Sequence, residues 1–281
     1  MKKSSKIILL CAVCLLSLGI VLSVIGLFRG ASLNRIIDSG LWNYTFYQED
    51  DYDNDHSKDN TYRIETDRLD SLSIDWISGS VSVISYDGKD ILLEESSEEK
   101  IDGENCLRYK LDENDLRIDF CREEMSVQFS SKDHESKALT VKIPKEMAKQ
   151  IPELDLSSIS ADIFADGIAA EELTFSTTSG DFQAKALKSQ NVAASTVSGN
   201  MNARFIDCPQ QFCFDSTSGN CSMIIPQRSS LTVSYESVSG TFSDQFDGRR
   251  NDDGEYVIGQ GKWNCNVTTV SGDLRISRFG I

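Results

Sequence analysis

Serine followed by glycine recurs along this chain, and the pair is the first candidate for chemistry because a serine at a turn can act as a nucleophile. Such a serine needs a general base within hydrogen-bond reach. The two histidines, His56 and His134, lie in polar segments, and no combination of nucleophile and base can be assembled around any of the pairs. The sequence therefore predicts no catalytic residue and no enzymatic activity.

A structural repeat explains all of the pairs together, whereas an active site would explain only one. We predict that their hydroxyl groups stack as a ladder and bond the amides of successive corners. The predicted turn ladder consists of Ser78, Gly79, Ser179, Gly180, Ser198, Gly199, Ser218, Gly219, Ser239, Gly240, Ser271 and Gly272.

Each pair belongs to a longer phrase, of which Thr177–Phe182 is one copy, and an earlier copy has Ala161 in the glycine place. From Ala161 the copies follow at steps of 19, 19, 20, 21 and 32 residues. Positions seven and five before the glycine, and two after it, carry apolar residues in every copy. Alternate side chains of a strand point to one face, so these columns predict an interior. The change of parity at the glycine predicts a left-handed or bulged backbone there.

Short strands at this spacing predict an all-β fold, a parallel β-solenoid of about seven ~20-residue coils stacked in sequence order. In that order the coil at Gly272 ends the stack, and its open edge would favour self-association. Cys221 and Cys265 then fall on interior positions two coils apart, where we expect them to pack as small apolar residues.

Two insertions interrupt the repeat, at about residues 82–153 and 244–261. The first contains an antiparallel hairpin around Asp112–Asp115, which sets Cys106 opposite Cys121 and makes this pair a disulfide candidate. The outward, β-branched column two places before the glycine, to which Val197 and Val238 belong, is either a solvated strand face or a covered surface. We expect the inserted sheet to pack on or beside the stack and to cover this column.

The second insertion predicts a protruding, charged hairpin. On a rigid scaffold such a loop is either a recognition site or a tolerated surface insertion. Its charged residues are Asp247, Arg249, Arg250, Asp252 and Asp253. Cys208 and Cys213 lie close together in the sequence, ahead of the Gly219 copy. They either form a local disulfide or remain two thiols.

Residues 7–28 form an uncharged run of 22 residues, long enough to cross a membrane as one helix. The poor cleavage site after the run favours an uncleaved signal anchor over a signal peptide. Three lysines before it and one arginine behind it predict a cytoplasmic N-terminus. The predicted single-pass protein of the cell membrane has a cytoplasmic tail (1–6), a transmembrane signal anchor (7–28), a juxtamembrane stalk and acidic linker (29–61), and an extracytoplasmic β-solenoid (62–281).

The formal net charge of −16 argues against nucleic acid as a partner, because phosphate binding needs clustered Lys and Arg. Asp51, Asp53 and Asp55 have the alternate spacing of a calcium loop. His56 and Tyr62, however, stand where that loop needs a glycine and a bidentate glutamate. The sequence therefore predicts no metal and no cofactor.

The in-phase Ser-Gly phrases, together with the stretch Leu139–Pro144, resemble the bacterial DUF4097 family of β-strand repeat proteins over about residues 62–281. The resemblance implies an extracytoplasmic β-solenoid that carries an adhesin label and is sometimes found with envelope-stress systems. It offers no catalytic residues to transfer to this chain.

These observations predict a membrane-anchored, non-enzymatic, adhesin-like scaffold of the bacterial cell envelope, whose partner is an envelope protein or a wall polymer. The alternative is the ectodomain of an envelope-stress sensing or regulatory system. Carbohydrate lyase chemistry, which parallel β-helices can carry, is a third hypothesis without a constellation of residues to support it.

Overall fold

Strands make up most of the chain for which the structure gives an account. The computed structural model describes residues 60–98, 100–101, 106–120, 136–252 and 254–280, and these lie in one compact unit, Tyr52–Ile281. A short helix, α1 (Lys145–Ala148), accompanies the strands. The strands are β1 (Thr61–Ile64), β2 (Ser71–Trp76), β3 (Gly79–Tyr86), β4 (Ile91–Ser97), β5 (Arg108–Asp112), β6 (Asp115–Asp119), β7 (Lys137–Pro144), β8 (Ile151–Ser158), β9 (Asp162–Asp166), β10 (Ala169–Thr177), β11 (Phe182–Thr196), β12 (Met201–Phe205), β13 (Gln211–Ser216), β14 (Cys221–Pro226), β15 (Leu231–Ser237), β16 (Phe242–Asp244), β17 (Arg249–Arg250), β18 (Tyr256–Ile258), β19 (Trp263–Thr269) and β20 (Leu274–Phe279). The predicted all-β class is confirmed.

Two curled sheets, A and B, form the walls of a stack of coils. Each coil consists of a strand of sheet B and a strand of sheet A, joined by a corner wherever the connection is described, and neighbouring coils pair in parallel. Strand β11 serves two coils, with a register shift between Ala184 and Leu187 where it passes from sheet A to sheet B. Along the stack the coils are coil 1 (β6–β7), coil 2 (β2–β3), coil 3 (β8–β9), coil 4 (β10–β11), coil 5 (β11–β12), coil 6 (β13–β14), coil 7 (β19–β20) and coil 8 (β15–β16). The predicted parallel stacking is confirmed, with eight coils rather than about seven.

The order of the coils in space differs from their order in the sequence at both ends. Strands β6 and β7, from the first insertion, form coil 1 outside coil 2. Strands β19 and β20, the last in the sequence, pair with coil 6 on one side and with coil 8 on the other. The prediction that the coil at Gly272 ends the stack is therefore wrong, because that coil is coil 7 and both of its edges are paired.

Antiparallel strands extend the sheets beyond the end coils. At coil 1, β5 pairs with β6 in sheet B, while β4 and β1 continue sheet A. Leu111 lies opposite Leu116, as the predicted hairpin requires. At coil 8, β18 and β17 of the second insertion continue sheet B, and sheet A ends on the three-residue strand β16. Added strands and a short edge both limit the backbone that is open to pairing with another chain.

The apolar columns of the repeat form one continuous core between the sheets. Their members are buried in coils 2 to 7, from Leu72 and Ile74 to Val267 and Leu274. In coil 8 the corresponding rings, Tyr235 and Phe242, are only half-buried. Burial is incomplete there because coil 8 has a neighbouring coil on one side only.

The inserted sheet does not cover the outward β-branched column. Val197 is 52 % exposed, Val238 is 84 % exposed and Ile159 is 49 % exposed. The expectation of a cover is therefore wrong. The inserted strands continue the stack along its axis, where they bury the end of the core and leave its flanks open.

Several predictions concern residues outside those described. Cys121 is one of them, so the Cys106–Cys121 disulfide stays a prediction. The anchor at 7–28 and the linker before residue 60 also lie outside. Within the described part of the chain, no helix is long and apolar enough to span a membrane.

Candidate binding surfaces

The serine of each Ser-Gly corner bonds to the neighbouring coil mainly through its backbone. The amide of Ser198 donates to the carbonyl oxygen of Thr178 at 3.0 Å, and the amide of Ser218 donates to that of Val197 at 2.9 Å. The hydroxyl groups of these two serines donate to the same carbonyl oxygens at 3.4 Å. The predicted hydroxyl ladder to corner amides is therefore wrong for this column, because these exposed hydroxyls are weak donors to carbonyl groups.

The corner amides are satisfied by another column, three places before the glycine. Thr196 Oγ1 accepts the Gly199 amide at 2.8 Å, and Thr177 Oγ1 accepts the Gly180 amide at 3.0 Å. Both threonines are buried. A hydroxyl residue stands at this place in every copy from Ser158 onward, a signal that was available in the sequence. The column fixes the corner from inside, where water cannot satisfy the amides.

The column one place after the glycine forms a second ladder on the outside. Asp181 Oδ1 accepts the Asn200 amide at 2.7 Å, and Asn200 Oδ1 accepts the Asn220 amide at 3.1 Å. At coils 7 and 8, Asp273 Oδ1 accepts the Thr241 amide at 2.8 Å. This backbone bond, followed by the bond from the Thr241 hydroxyl, lowers the pKa of Asp273. These side chains therefore hold neighbouring coils together, and their acceptor atoms are used within the protein.

Glycine is required at the corners because neighbouring corners pack closely, and not because the backbone there has a positive φ. A Cβ atom at Gly199 would lie 2.0 Å from the carbonyl oxygen of Gly180, and one at Gly219 would lie 2.0 Å from that of Gly199. Among the corner glycines only Gly79 has a positive φ, 101°. The predicted left-handed step is therefore wrong for the other five, whose role is to let successive corners touch.

A buried ion pair joins coil 1 to the strand that caps it. Lys137 Nζ lies 2.5 Å from Glu95 Oε1, and their side chains are 4 % and 0 % exposed. Glu95 also accepts the Leu107 amide, and Lys137 lies over the ring of Phe120 at 4.0 Å. Breaking such a pair leaves a buried charge without a counterion, which is strongly destabilising. We interpret this cluster as a structural joint.

The charged loop of the second insertion contributes one of its predicted residues to a cleft. Arg250 lies on β17 and lines a cleft of about 220 Å³ with Tyr235, Phe242 and Tyr256. Its Nη1 donates to the carbonyl oxygen of Gly254 at 2.7 Å. Asp247, Arg249 and Asp252 do not line this cleft, and Asp253 lies outside the described residues. The loop therefore covers the end of coil 8, and its predicted charged residues do not come together in this cleft.

The outer surface of sheet B, called face B, is acidic. In strands β2, β8, β10, β13, β19 and β15, all of them described, the outward positions carry no lysine or arginine, and Lys188, in the sheet B part of β11, is paired with Asp207. Their acidic residues are Asp75, Glu153, Asp155, Glu172, Asp215 and Glu236. Burial, with Asp75 and Glu153 nearby, raises the pKa of Asp155 to about 6. Its Oδ1 atom is buried without a hydrogen-bond partner. Face B therefore repels anions.

The outer surface of sheet A, called face A, carries exposed cations supported by aromatic rings. Lys185 Nζ lies 5.2 Å from the centroid of Phe164, and Arg204 Cζ lies 4.5 Å from that of Phe279. Arg275 is exposed on the same face in coil 7. Asp166 is the register partner of Lys185. Among the described residues, however, none of the three cations takes part in an ion pair. Their charge is therefore available to a ligand.

Residues 147–277, which make up most of coils 3 to 8, match the family described as Toastrack DUF4097. The match covers a little less than half of the 281-residue chain. The resemblance seen in the Ser-Gly phrases is thereby confirmed.

Solved structures that are similar to the chain include a putative cell adhesion protein from Clostridium sporogenes, with 12 % identity, a TM-score of 0.49, and coverage of 78 % of this chain and 98 % of that one. A putative lipid binding protein from Parabacteroides distasonis has 13 % identity and a TM-score of 0.34, over 78 % and 96 % of the two chains. A putative adhesin from Bacteroides fragilis has 9 % identity and a TM-score of 0.34, also over 78 % and 96 %. No curated protein matches the chain.

The cysteines between residues 147 and 277 lie in and around the core. Cys221 and Cys265 are fully buried, and burial raises the pKa of both thiols. Cys265 Sγ lies 3.9 Å from Met223 Sδ, so the two cysteines belong to adjacent coils, 6 and 7, and not to coils two apart. Cys208 carries a free thiol, so the alternative bridge to Cys213 is not formed. Within the described ranges, no group of three His, Cys, Asp or Glu residues could hold a metal ion.

Proposed function

We propose that this protein is a non-enzymatic binding protein of the bacterial cell envelope that is anchored in the cell membrane by residues 7–28 and presents face A to its partner. The observation that carries the proposal is the set of three exposed cations, Lys185, Arg204 and Arg275, which have no ion-pair partner among the described residues. An exposed charge without a partner costs the scaffold little and leaves the group free to bind a ligand.

A binding role suits the architecture. The described coils stack into a rigid wall whose core residues are buried and whose corner serines donate their backbone amides from coil to coil. The cleft near Arg250 is lined by aromatic rings and an arginine that bonds to a carbonyl group. Neither arrangement joins a nucleophile to a base, as hydrolytic chemistry would require.

The proposal is tested with the full chain in detergent micelles, mixed with washed envelope fragments of a Gram-positive bacterium and sedimented. We expect the protein to sediment with the fragments in a saturable manner. Protein that stays in the supernatant at every fragment concentration would contradict the proposed binding role.

Placement outside the membrane is tested separately, with intact cells that carry an epitope after Ile281. Protease added to the medium should remove the epitope without lysis of the cells. Protection of the epitope until the cells are lysed would overturn the proposed orientation.

A further inference from the structure

We infer that face A binds a linear polyanion whose charges are phosphodiester groups, and that Lys185, Arg204 and Arg275 are the residues that bind it. This inference rests on the proposed binding function and names the chemical class of its ligand.

Charge is distributed unequally between the two faces. Between residues 150 and 227 the chain contains three basic residues, Lys185, Lys188 and Arg204, and of these Lys188 is in register with Ala169 in sheet B. Lys188 forms an ion pair with Asp207 at 3.2 Å, whereas the other two lie on face A. On a chain with a net charge of −16, this separation gives face A a local charge opposite to that of the whole molecule.

Two of the cations on face A are held by aromatic rings. Phe164 and Phe279 support Lys185 and Arg204 from below through cation–π contacts. A guanidinium group that stacks on a ring keeps its edge free, and that edge matches two phosphate oxygens. If a carboxylate of the protein were paired with the guanidinium group, it would occupy the N–H donors that a phosphate needs.

The spacing of the three cations on face A favours an extended ligand. Lys185, Arg204 and Arg275 belong to coils 4, 5 and 7, so they span three coil steps of roughly 4.8 Å each on one sheet. A chain lying across the coils can contact all three cations, whereas a single small anion can contact only one or two. The rings on this face are half-buried, so no aromatic side chain protrudes to enter a bilayer, and a polymer is favoured over a lipid surface.

Repulsion from face B does not cancel the local attraction. The two sheets lie about 10 Å apart, and the Debye length at physiological ionic strength is about 8 Å. A polymer on face A is therefore largely screened from Asp155 and its acidic neighbours. Binding should weaken as salt is raised, because each neutralised phosphate releases counterions.

The test uses the full chain in detergent micelles, titrated against a fluorescent poly(glycerol phosphate) of defined length, with dextran of similar length as the uncharged control. The triple variant Lys185→Gln, Arg204→Gln, Arg275→Gln should lose affinity at least tenfold. The matched variant Lys188→Gln, Arg228→Gln, Lys262→Gln removes three exposed cations from outside face A and should change affinity less than twofold. Asp166→Asn removes the one carboxylate beside Lys185 and should raise affinity about twofold.

Three results would overturn the inference: an unchanged affinity in the triple variant, an equal loss in the matched variant, or binding to phosphatidylglycerol vesicles in place of the polymer. If the chain sediments with envelope fragments but binds no polymer, the inference fails and the proposed function stands. If it sediments with no fragments, the proposed function itself fails.

Discussion

The Ser-Gly corner and face A lie on the same coils, yet the coils are alike at the corner and differ from one another on face A. At the corner, coils 3 to 8 repeat an inner hydroxyl residue from Ser158 onward and an outer hydrogen-bonding side chain from Asp162 onward. On face A the register partner of Lys185 in the coil before it is Asp166, and that of Arg204 in the coil after it is Ile224. Residues that repeat in phase satisfy neighbouring coils, and residues that break the repeat are free to bind something else.

The largest effect on stability should come from a substitution that separates two corners. Gly199→Ala places a Cβ atom 2.0 Å from the carbonyl oxygen of Gly180, so coils 4 and 5 must move apart. We expect a loss of about 3 kcal/mol or more in the free energy of unfolding, measured by urea denaturation.

The control is Gly254→Ala, where the added atom has nothing within 4 Å and φ is +85°. The positive φ alone should cost about 1 kcal/mol. Equal losses at the two glycines would show that close approach is not what the corner requires.

A smaller effect is expected from the hydroxyl that holds the corner from inside. Thr196→Val keeps the shape of the side chain but leaves the Gly199 amide, now bonded at 2.8 Å, without an acceptor. The loss should be about 1–3 kcal/mol, the cost of an unsatisfied buried donor.

Ser198→Ala is the matched control, two residues further along the same corner. Its exposed hydroxyl bonds at 3.4 Å, and its removal should cost less than about 0.5 kcal/mol. A larger loss at Ser198 than at Thr196 would restore the serine ladder and contradict the assignment made here.

Face B offers a gain in stability that depends on pH. The pKa of Asp155 is raised to about 6 by burial and by the carboxylates of Asp75 and Glu153. A carboxyl group whose folded pKa is raised contributes stability that is complete below the unfolded pKa, near 4, and is lost as the pH rises through 6. Asp155→Asn should therefore stabilise the protein at pH 7, by about 1–2 kcal/mol, and leave its stability at pH 4 almost unchanged.

Thermal unfolding of both proteins at pH 4, 5, 6 and 7 measures this difference. A stabilisation by Asp155→Asn that is the same at all four values would show that the charge of Asp155 is not its cause.

The interior could be predicted from the sequence because it depends on residue type at a repeated position. Leu173, Phe175 and Phe182 are apolar at three fixed places, and all three are buried. The inner hydroxyl column of Thr177 and Thr196 could have been found in the same way, since it also repeats. Each of these inferences compares one coil with the next and needs no knowledge of the distance between them.

The spatial order of the coils could not be predicted in this way, because the repeat specifies what a coil contains and not which coil it meets. Nothing in the residues around Gly272 indicates that β19 enters between β13 and β15. For the same reason, the sequence did not predict that the coils carrying Cys221 and Cys265 are adjacent.

The contrast between the faces was also beyond the sequence. Alternation shows that Lys185 and Asp155 both point outward, but not that they lie on different sheets. The reason for glycine at the corner could not be predicted either, because it is a contact between two coils, in which Gly199 packs against the carbonyl group of Gly180.

The central claim is that face A carries binding and contributes little to stability, and it is tested most directly by measuring both quantities on one protein. For the Lys185→Gln, Arg204→Gln, Arg275→Gln variant, we expect a midpoint of thermal unfolding within about 2 °C of the unmodified chain, together with an affinity for poly(glycerol phosphate) at least tenfold weaker. A variant that unfolds much earlier, or one that binds the polymer as tightly as before, would contradict the claim.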